Sequence, residues 1–301
     1  MLLQDVLKEF IYDCEVRSLS PRTVKGYRNN NARFFKFLED EFDITEVEKL
    51  TRKHIQLYLQ LLKDQKLSEL YANSILKNIR SFLNYCLEEE YVKENVATKV
   101  KWVKEPTVLI ETFTDEDINK MLKVFNFTDY LNARNNTILA TFLDTGIRNL
   151  ELCSIKNEDV RERDIRIMGK GNKERYVPIT PFLKKYMIKY ERIKEGYFKD
   201  KLRVEDYYFL SRTGRQLTVE ANLHIFNQIE EKAGIENVRC SPHTARHYYA
   251  QTQLKNGLDT YSVSRILGHE NISITKRYLQ SLKDKDIIEL ATVTSPLMNL
   301  K

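Results

Sequence analysis

The sequence predicts a mainly α-helical protein with one small β-sheet, arranged in two domains. Apolar residues recur at helical spacing through most of the 301 residues, and one short stretch alternates apolar and polar residues instead. A third stretch, which contains a proline and has no helical period, separates the two parts. A chain of this length usually divides into two hydrophobic cores. We therefore predict a first domain at residues 1–102, a linker at 103–112 and a second domain at 113–301.

The composition excludes several classes of protein. With 42% hydrophobic and 31% charged residues, the chain has the balance of a folded globular protein, not of a disordered or fibrous one. It has no run of about 18 apolar residues, so we expect no membrane-spanning helix and no membrane partner. The four cysteines are widely spaced, which argues against a disulfide framework or a zinc ribbon. We accordingly expect a cytoplasmic protein.

Four helices are predicted in the first domain. Ser20 followed by Pro21 is typical of a helix N-cap and the first helical position, and the apolar residues that follow fall on one side of a helix. The other three helices are predicted from the same apolar periodicity. They lie near Leu2–Arg17, Arg52–Asp64 and Tyr71–Glu89.

Two of these helices carry basic faces. Residues 16–38 contain six basic side chains and no acidic one. Arg22 and Lys25 fall opposite the apolar side of that helix, and Lys77 and Arg80 lie outside the apolar stripe of the fourth helix. A solvated surface is the ordinary explanation for one such face. The lack of any acid in residues 16–38 favours a surface that faces phosphate groups.

The second domain begins with a helix. Thr114 precedes three acidic residues, a pattern that predicts a capped helix N-terminus. Helical patterns continue to about Asp144 and resume near Asn149. They dominate again from Val219 to the end of the sequence.

A β-hairpin interrupts this helical pattern. From Asp164 to Thr180, apolar and charged residues alternate on both sides of Gly169-Lys170-Gly171-Asn172, which predicts two strands with a glycine-rich tip. Tyr207–Ser211 is predicted to be a further short strand. The second domain is therefore predicted to be mainly α with a small sheet.

Four segments of the second domain hold residues suited to chemistry. Taken alone, each has an ordinary explanation: Arg148 could pair with Glu151 one turn later, and a lysine at a turn is usually solvated. His243 and His247 have the i, i+4 spacing of a zinc pair, but no cysteine or carboxylate completes a site, so we predict no metal. The residues of interest are Arg148, Lys170, His243, Arg246, His269 and Tyr278.

In combination and order, the segments TGIR, GKGNKER, HTARH and LGHENISITKRY resemble the tyrosine recombinase (phage integrase) family, including the bacterial Xer-type recombinases. The resemblance covers the second domain by motif and the first domain, more weakly, by pattern. It implies a two-domain DNA clamp with a SAM-like core-binding domain and a tyrosine recombinase catalytic domain. It also implies site-specific DNA recombination through a 3′-phosphotyrosyl intermediate and a Holliday junction, without ATP, metal or another cofactor.

The resemblance gives each residue a role. Tyr278 would attack a DNA phosphodiester and release a 5′-hydroxyl. Because a phenol has a pKa of about 10, its anion lies about 4 kcal/mol uphill at pH 7, so the site must supply positive charge. Arg148 and Arg246 would grip the phosphate oxygens. His243 and His269 would hydrogen-bond the same phosphate, and His243 would also assist removal of the tyrosine proton.

The remaining positions complete the predicted site. Lys170 would protonate the departing 5′-oxygen, and Glu151 would orient the cations. His247 is interpreted as a structural hydrogen-bonding residue outside the catalytic set. The candidates for DNA contact are Arg22, Lys25, Lys77, Arg80, Lys173 and Arg175, with phosphate contact favoured over base contact for any one of them.

The expected partners follow from the resemblance. They are double-stranded DNA recombination sites and, in the synaptic complex, three further copies of the chain or a partner recombinase. In the family a C-terminal segment packs against the neighbouring protomer, and the amphipathic segment Asp284–Val293 corresponds to it; packing on its own domain is the alternative. Two other functions stay open from sequence alone: relaxation of DNA by a type IB topoisomerase, and DNA binding by a catalytically inactive protein.

Overall fold

The computed structural model describes residues 1–106, 109–169, 173–280 and 284–299. The chain forms two compact units, Met1–Thr107 (unit 1) and Val108–Lys301 (unit 2). Within the described ranges, regular structure consists of α-helices, short 3-10 turns and a single two-stranded antiparallel sheet. The prediction of a mainly α fold with a small sheet is confirmed. None of the helices in these ranges is long and apolar enough to cross a lipid bilayer.

Unit 1 contains the four predicted helices. The second begins as expected, because the Ser20 hydroxyl accepts a hydrogen bond from the Thr23 amide (3.2 Å) and caps the first turn. It ends where Asp43 adopts a left-handed conformation (φ 52°). The helices are α1 (Leu3–Val16), α2 (Pro21–Phe42), α3 (Arg52–Asp64) and α4 (Glu69–Glu88).

An aromatic core holds unit 1 together. The ring of Phe82 on α4 lies 5.8 Å from that of Phe10 on α1 and 5.1 Å from that of Phe35 on α2. All three side chains are buried. Each buried aromatic side chain contributes about 1.5–3 kcal/mol through removal of apolar surface from water. This burial requires the apolar faces of α1, α2 and α4 to point inward, so their polar faces are exposed.

Arg80, a predicted DNA contact, is not among those exposed polar residues. Its half-buried guanidinium donates to the carbonyls of Ala97 and Val100 and lies 4.0 Å from the ring centroid of Trp102. Arg80 therefore holds the chain that follows α4 against that helix. Arg22, Lys25 and Lys77 are exposed, as the sequence predicts.

Unit 2 is built around α6. This helix is buried on nearly every side, between α8 and α10, which explains why its sequence shows little amphipathic pattern. The helices of unit 2 are α5 (Asp115–Met121), α6 (Tyr130–Thr145), α7 (Asn149–Cys153), α8 (Pro181–Phe198), α9 (Val219–Ala233), α10 (Pro242–Lys255), α11 (Thr260–Leu267), α12 (Ile272–Leu279) and α13 (Asp284–Val293).

The predicted hairpin is present in unit 2. Strand β1 (Asp164–Met168) pairs with β2 (Glu174–Pro178) in antiparallel register, and the apolar side chains that alternate along both strands are buried. The Gly169 amide donates to the Lys173 carbonyl (2.8 Å), which closes the end of the ladder. Lys170 at the tip lies outside the described residues.

The predicted strand at Tyr207–Ser211 is wrong. Only Leu210 takes part in β pairing there, as an isolated bridge to Gln216. Two carbonyls of this segment are bonded by side chains instead: Tyr190 donates to the carbonyl of Tyr208 (2.9 Å), and Tyr130 donates to that of Leu210 (2.8 Å). The alternating apolar pattern therefore reflects packing into the core without a neighbouring strand.

The segment that enters unit 2 is anchored on α10. Gln251 donates to the carbonyl of Ile110 (2.7 Å) and accepts from the hydroxyl of Thr112 (3.3 Å). The Ile110 side chain packs against an apolar cluster that includes Leu267 and Tyr278. The start of unit 2 and α12 thus share one cluster.

The contacts of Arg80 predict a role in the stability of unit 1. Replacing Arg80 with Gln leaves two carbonyls without their charged donor, so we expect unit 1 to lose about 1–3 kcal/mol of unfolding free energy. Urea unfolding followed by the fluorescence of Trp102, the only tryptophan in the chain, measures this loss. Lys77→Gln, an exposed change on the same helix, is the control and should leave the transition in place. An unchanged transition in Arg80→Gln would contradict the structural role.

Candidate active site

The site begins where α6 ends. Gly146 adopts a left-handed conformation (φ 60°), and a Cβ at this position would lie 2.5 Å from the ring of Tyr249. Only glycine fits both constraints. The turn at Gly146 places Arg148 at the N-cap of α7 and exposes the Gly146 carbonyl to α10.

Two arginines are held in place by backbone carbonyls. Arg246 on α10 is 4% exposed and donates to the carbonyls of Gly146 and Leu267, at 2.7 Å each. Arg148 donates to the carbonyl of Gly268 (2.7 Å). Burial, and then the charge of Arg148, lower the pKa of Arg246 to about 10, so the Arg246 guanidinium is still charged at pH 7. The ends of α6 and α11 therefore fix a pair of like charges.

Glu151 on α7 is the carboxylate that compensates these charges. It accepts a hydrogen bond from the side chain of Arg148 (2.8 Å) and two from Arg175 (2.8 and 2.6 Å), with its own side chain 9% exposed. Burial alone would raise the pKa of Glu151, but the hydrogen bonds and charge of Arg175, and then those of Arg148, hold it at about 2. Glu151 is therefore ionised at neutral pH.

Arg175, a predicted DNA contact, is bound to other parts of unit 2 in this structure. Its side chain is 11% exposed, binds Glu151 through both terminal nitrogens, and donates from Nε to the carbonyl of Ile266 (2.8 Å). A Cβ at Gly268 would approach the Arg175 side chain to 3.0 Å. Arg175 therefore ties strand β2 to α7 and to the turn after α11. Lys173, two residues earlier, is exposed.

Tyr278 lies on α12 and is 3% exposed. Its hydroxyl is 2.8 Å from Nδ1 of His247, and its ring lies nearly parallel to that of His269, with centroids 6.4 Å apart. Burial raises the pKa of Tyr278, while the charges of Arg246 and Arg148 act in the opposite direction. The phenol is thus protonated at neutral pH and lies within the electrostatic reach of both arginines.

The histidines of the site differ in their surroundings. His243 is exposed at the start of α10, with its ring centroid 4.0 Å from that of His247. His269 is half-buried, and its Nδ1 lies 2.8 Å from the hydroxyl of Thr275. Burial and then neighbouring positive charge lower the pKa of His269 to about 4, and burial followed by Arg246 lowers that of His243. These imidazoles are therefore neutral at pH 7 in this structure.

The contact of His247 with Tyr278 is missed by the sequence interpretation, which assigns proton removal to His243. The i, i+4 spacing on α10 shows that both histidines share a helix face, but only the packing of α12 decides which one meets the tyrosine. In the described part of unit 2 the fold therefore brings together two guanidiniums, three imidazoles and a phenol. In the same part of the chain, no group of three or more His, Cys, Asp or Glu side chains is arranged to hold a metal ion.

This arrangement is suited to an anionic, tetrahedral group. Arginines fixed by carbonyls offer planar, preorganised donors for phosphate-like oxygens, and the phenol is a nucleophile beside them. The burial of Arg246 and Tyr278 strengthens the charge interactions in which they take part relative to water.

Two segments of the chain match known families. Residues 111–285 match the phage integrase family, and residues 6–93 match the N-terminal SAM-like domain of phage integrases. The tyrosine recombinase XerC of Anoxybacillus flavithermus is 30% identical over 271 residues, which cover 89% of this chain and 90% of the relative. The tyrosine recombinase XerD of Oceanobacillus iheyensis is 28% identical over 286 residues, which cover 94% of this chain and 95% of that relative.

Solved structures share the fold. One is the XerH site-specific recombinase in a post-cleavage complex with a palindromic difH substrate, with a TM-score of 0.75 and 19% sequence identity. The match covers 92% of this chain and 81% of the XerH chain. Another is a lambda integrase tetramer bound to a Holliday junction, with a TM-score of 0.73 and 14% sequence identity. The match covers 92% of this chain and 77% of the integrase chain.

The pKa of Glu151 predicts how stability depends on pH. In the folded protein its pKa is about 2, below the ordinary value of 4.5. Ionised Glu151 therefore contributes about 3 kcal/mol to the free energy of unfolding. This contribution is complete above pH 4.5 and is lost as the pH falls toward 2. We expect Glu151→Gln to be less stable than the wild type at pH 7, with a difference that narrows below pH 4.5.

Urea unfolding followed by circular dichroism at pH 7, 5 and 3.5 measures this difference. Glu158→Gln, which removes an exposed carboxylate of the same unit, is the control and should change little at any pH. A Glu151→Gln difference that is constant with pH would contradict the assigned ionisation.

Proposed function

The chain belongs to the phage integrase family and is a tyrosine-type site-specific recombinase, and we propose that it cleaves and rejoins double-stranded DNA through a 3′-phosphotyrosyl bond to Tyr278. The observation that carries this proposal is the placement of the Tyr278 phenol beside an imidazole and within reach of two fixed guanidinium charges. Residues 1–102 would serve as the core-binding domain, 103–112 as the linker and 113–301 as the catalytic domain.

In this proposal, Arg148 and Arg246 stabilise the negative charge that develops on the phosphate during the reaction. A phosphodiester anion repels a phenolate, and negative charge accumulates on the phosphate oxygens as the tyrosine attacks. Arg148 and Arg246, oriented by carbonyls, would face these oxygens once the site has opened, and His243 and His269 would add hydrogen bonds. Such preorganised donors each contribute about 3–4 kcal/mol to stabilising a transition state of this kind.

The covalent step accounts for the energetics of strand exchange. The Tyr278 oxygen forms a bond to phosphorus, and the bond to the 5′-oxygen breaks, with Lys170 proposed to supply the proton for that oxygen. The phosphotyrosyl ester retains the free energy of the original ester, so the 5′-hydroxyl of a second duplex can reverse the step without ATP. In our proposal the site needs no metal, because its cations neutralise the phosphate. Exchange of one strand pair gives a Holliday junction.

The burial of Tyr278 requires a movement during the reaction. Because its side chain is 3% exposed, α12 has to shift or the pocket has to open before its hydroxyl meets a phosphate in a duplex. We propose that DNA binding brings about this opening. The nucleophile is thereby withheld from water and from unrelated phosphates.

The exposed basic residues of both units support DNA as the partner. Arg22, Lys25 and Lys77 in unit 1 and Lys173 in unit 2 are all exposed, and each would displace a condensed counterion on meeting a DNA phosphate. We propose that these four residues contact the DNA backbone. Arg80 and Arg175 are omitted because their guanidiniums hold the protein fold.

Helix α13 supports assembly on DNA. On one side Leu290 lies against Gly257, and Asp286 is 3.9 Å from Lys255. On the other side the apolar side chains of Ile288 and Val293 are 65% and 70% exposed. We propose that this exposed face docks on a neighbouring copy in a homotetramer, as the lambda integrase tetramer suggests for the synaptic state.

The covalent intermediate gives the primary test. A pool of nicked duplexes of randomised sequence is incubated with the protein, and DNA that stays attached after denaturation is recovered and sequenced. We expect the wild type to capture a defined sequence. The adduct should persist because the nick lets the short cleaved strand diffuse away, which prevents rejoining. Tyr278→Phe should abolish capture and still shift the recovered duplex in a gel, because the phenyl ring keeps the packing of α12.

Each outcome assigns a function. Exchange between two labelled copies of the recovered duplex supports recombination. Relaxation of supercoiled DNA without exchange would indicate a topoisomerase, and binding without any adduct would indicate an inactive protein. An adduct that survives in Tyr278→Phe would place the nucleophile elsewhere.

The exposed face of α13 predicts the effect of shortening the chain. A chain that ends after Gln280 should bind one recovered half-site with unchanged affinity but lose cooperative binding to paired sites, measured by gel shift. Ile288→Lys with Val293→Lys, which keeps the helix, should have the same effect. Retention of cooperativity by both variants would indicate that α13 packs only on its own unit.

A further inference from the structure

We propose that His247 receives the hydroxyl proton of Tyr278 when the tyrosine attacks DNA. This inference rests on the proposed phosphotyrosyl chemistry and changes one assignment within it, because the motif alone points to His243. Its basis is the 2.8 Å separation between Nδ1 of His247 and the tyrosine oxygen, which is the distance at which a proton passes directly.

The packing of two helices creates this contact. His247 projects from the second turn of α10, and Tyr278 from the last turn of α12, where the two helices lie against each other. His243, one turn earlier on α10, is exposed and meets His247 edge to face. Among the described contacts, the imidazole that reaches the tyrosine oxygen is that of His247. His243 is better placed to meet an incoming phosphate from the open side.

His247 has the protonation state that a proton acceptor needs. Burial, followed by the charges of His243 and Arg246, lowers its pKa to about 4, so the ring is neutral at pH 7. The tyrosine then donates to Nδ1, and the proton of the neutral ring resides on Nε2. The groups that face this imidazole are His243 and Arg246 on α10, His269 after α11 and Tyr278 on α12.

A bound phosphate would strengthen this acceptor. After burial, the charge of Arg246 contributes to the low pKa of His247, and a phosphate anion bound beside Arg246 would offset that contribution. The basicity of His247 therefore rises when substrate occupies the site. Without substrate, the hydrogen bond holds Tyr278 in its protonated, unreactive form. His247 thus couples activation of the nucleophile to the arrival of its target.

The proton balance closes within the site. As the bond from the tyrosine oxygen to phosphorus forms, its proton passes to Nδ1 of His247, and the phosphorus–oxygen bond to the 5′-oxygen breaks. The 5′-oxygen leaves with a proton from the general acid, proposed above as Lys170. In the rejoining step the 5′-hydroxyl attacks phosphorus and returns its proton to the general acid, the bond from phosphorus to the Tyr278 oxygen breaks, and His247 returns its proton to that oxygen. No external reactant is needed.

The test compares two replacements of His247 in single-turnover cleavage of the recovered nicked duplex. In His247→Asn the amide oxygen takes the position of Nδ1 and can still accept a hydrogen bond, but it cannot take the proton. His247→Leu removes the hydrogen bond as well. We expect cleavage at pH 7 to fall by about 10²–10⁴-fold in both variants, the usual contribution of a general base.

The pH profile separates proton transfer from a structural role. In the wild type the rate should reach a plateau once His247 is neutral in the complex. In His247→Asn it should continue to rise about tenfold per pH unit toward pH 9, as the tyrosine ionises without help. His224→Asn, an exposed histidine on α9, is the matched control and should keep the wild-type rate and profile.

Two results would overturn the inference. In the first, His247→Asn cleaves DNA at the wild-type rate and its rate reaches the same plateau with pH. In the second, the cleavage rate of His243→Asn rises continuously with pH, while that of His247→Asn follows the wild-type profile. Failure of the proposed function is distinguishable, because the wild type itself would then form no adduct at Tyr278. Gel shift with the recovered duplex and circular dichroism establish that both variants fold and bind DNA.

Discussion

The arrangement of the site depends on keeping the guanidinium charges of the buried Arg246 and the partly exposed Arg148 near each other. The two like charges repel each other, and burial adds a further cost for Arg246. The carbonyls that end α6 and α11 offset this cost for Arg246, and the ionised Glu151 offsets it for Arg148. The same carboxylate holds Arg175, so one negative charge joins α7 to the hairpin. Removal of Glu151 therefore affects fold and chemistry together.

Two glycines make this arrangement sterically feasible. Gly146 and Gly268 both end helices in a left-handed conformation, and each turns a carbonyl toward an arginine. A Cβ at Gly268 would meet the Arg175 side chain at 3.0 Å, and a Cβ at Gly146 would meet Tyr249. The motif glycines are thus required by the close approach of neighbouring side chains as well as by the turns they form.

Much of the fold could be predicted from the sequence, because amphipathic periodicity follows directly from which helix faces are buried. Helix α3 occupies the predicted residues, and the hairpin is found where the period changes from helical to alternating. The sequence wrongly predicts a strand at Tyr207–Ser211, because burial on one side gives the same alternation whether or not a neighbouring strand exists. Side chains from α6 and α8 bond its carbonyls instead.

The chemical residue types of the site could also be recognised from their order, but their contacts could not. Arg80 and Arg175 lie outside the apolar stripes, so periodicity gives no sign that distant carbonyls and a carboxylate bind them. The choice between His243 and His247 depends on how α12 packs against α10. That packing joins residues 31 positions apart, and no local pattern records it.

The anchoring of Ile110 on α10 gives the connecting chain an energetic link to the nucleophile. Ile110 and Tyr278 are neighbours in one small apolar cluster, and Gln251 fastens the incoming backbone to the helix that also carries His247. The effect of such shared contacts is reciprocal. A change that weakens the packing of Tyr278 also lowers the free-energy cost of releasing the segment at Ile110, and release of that segment weakens the packing of Tyr278. The packing of the segment that enters unit 2 is therefore thermodynamically linked to the release of the tyrosine from its buried position.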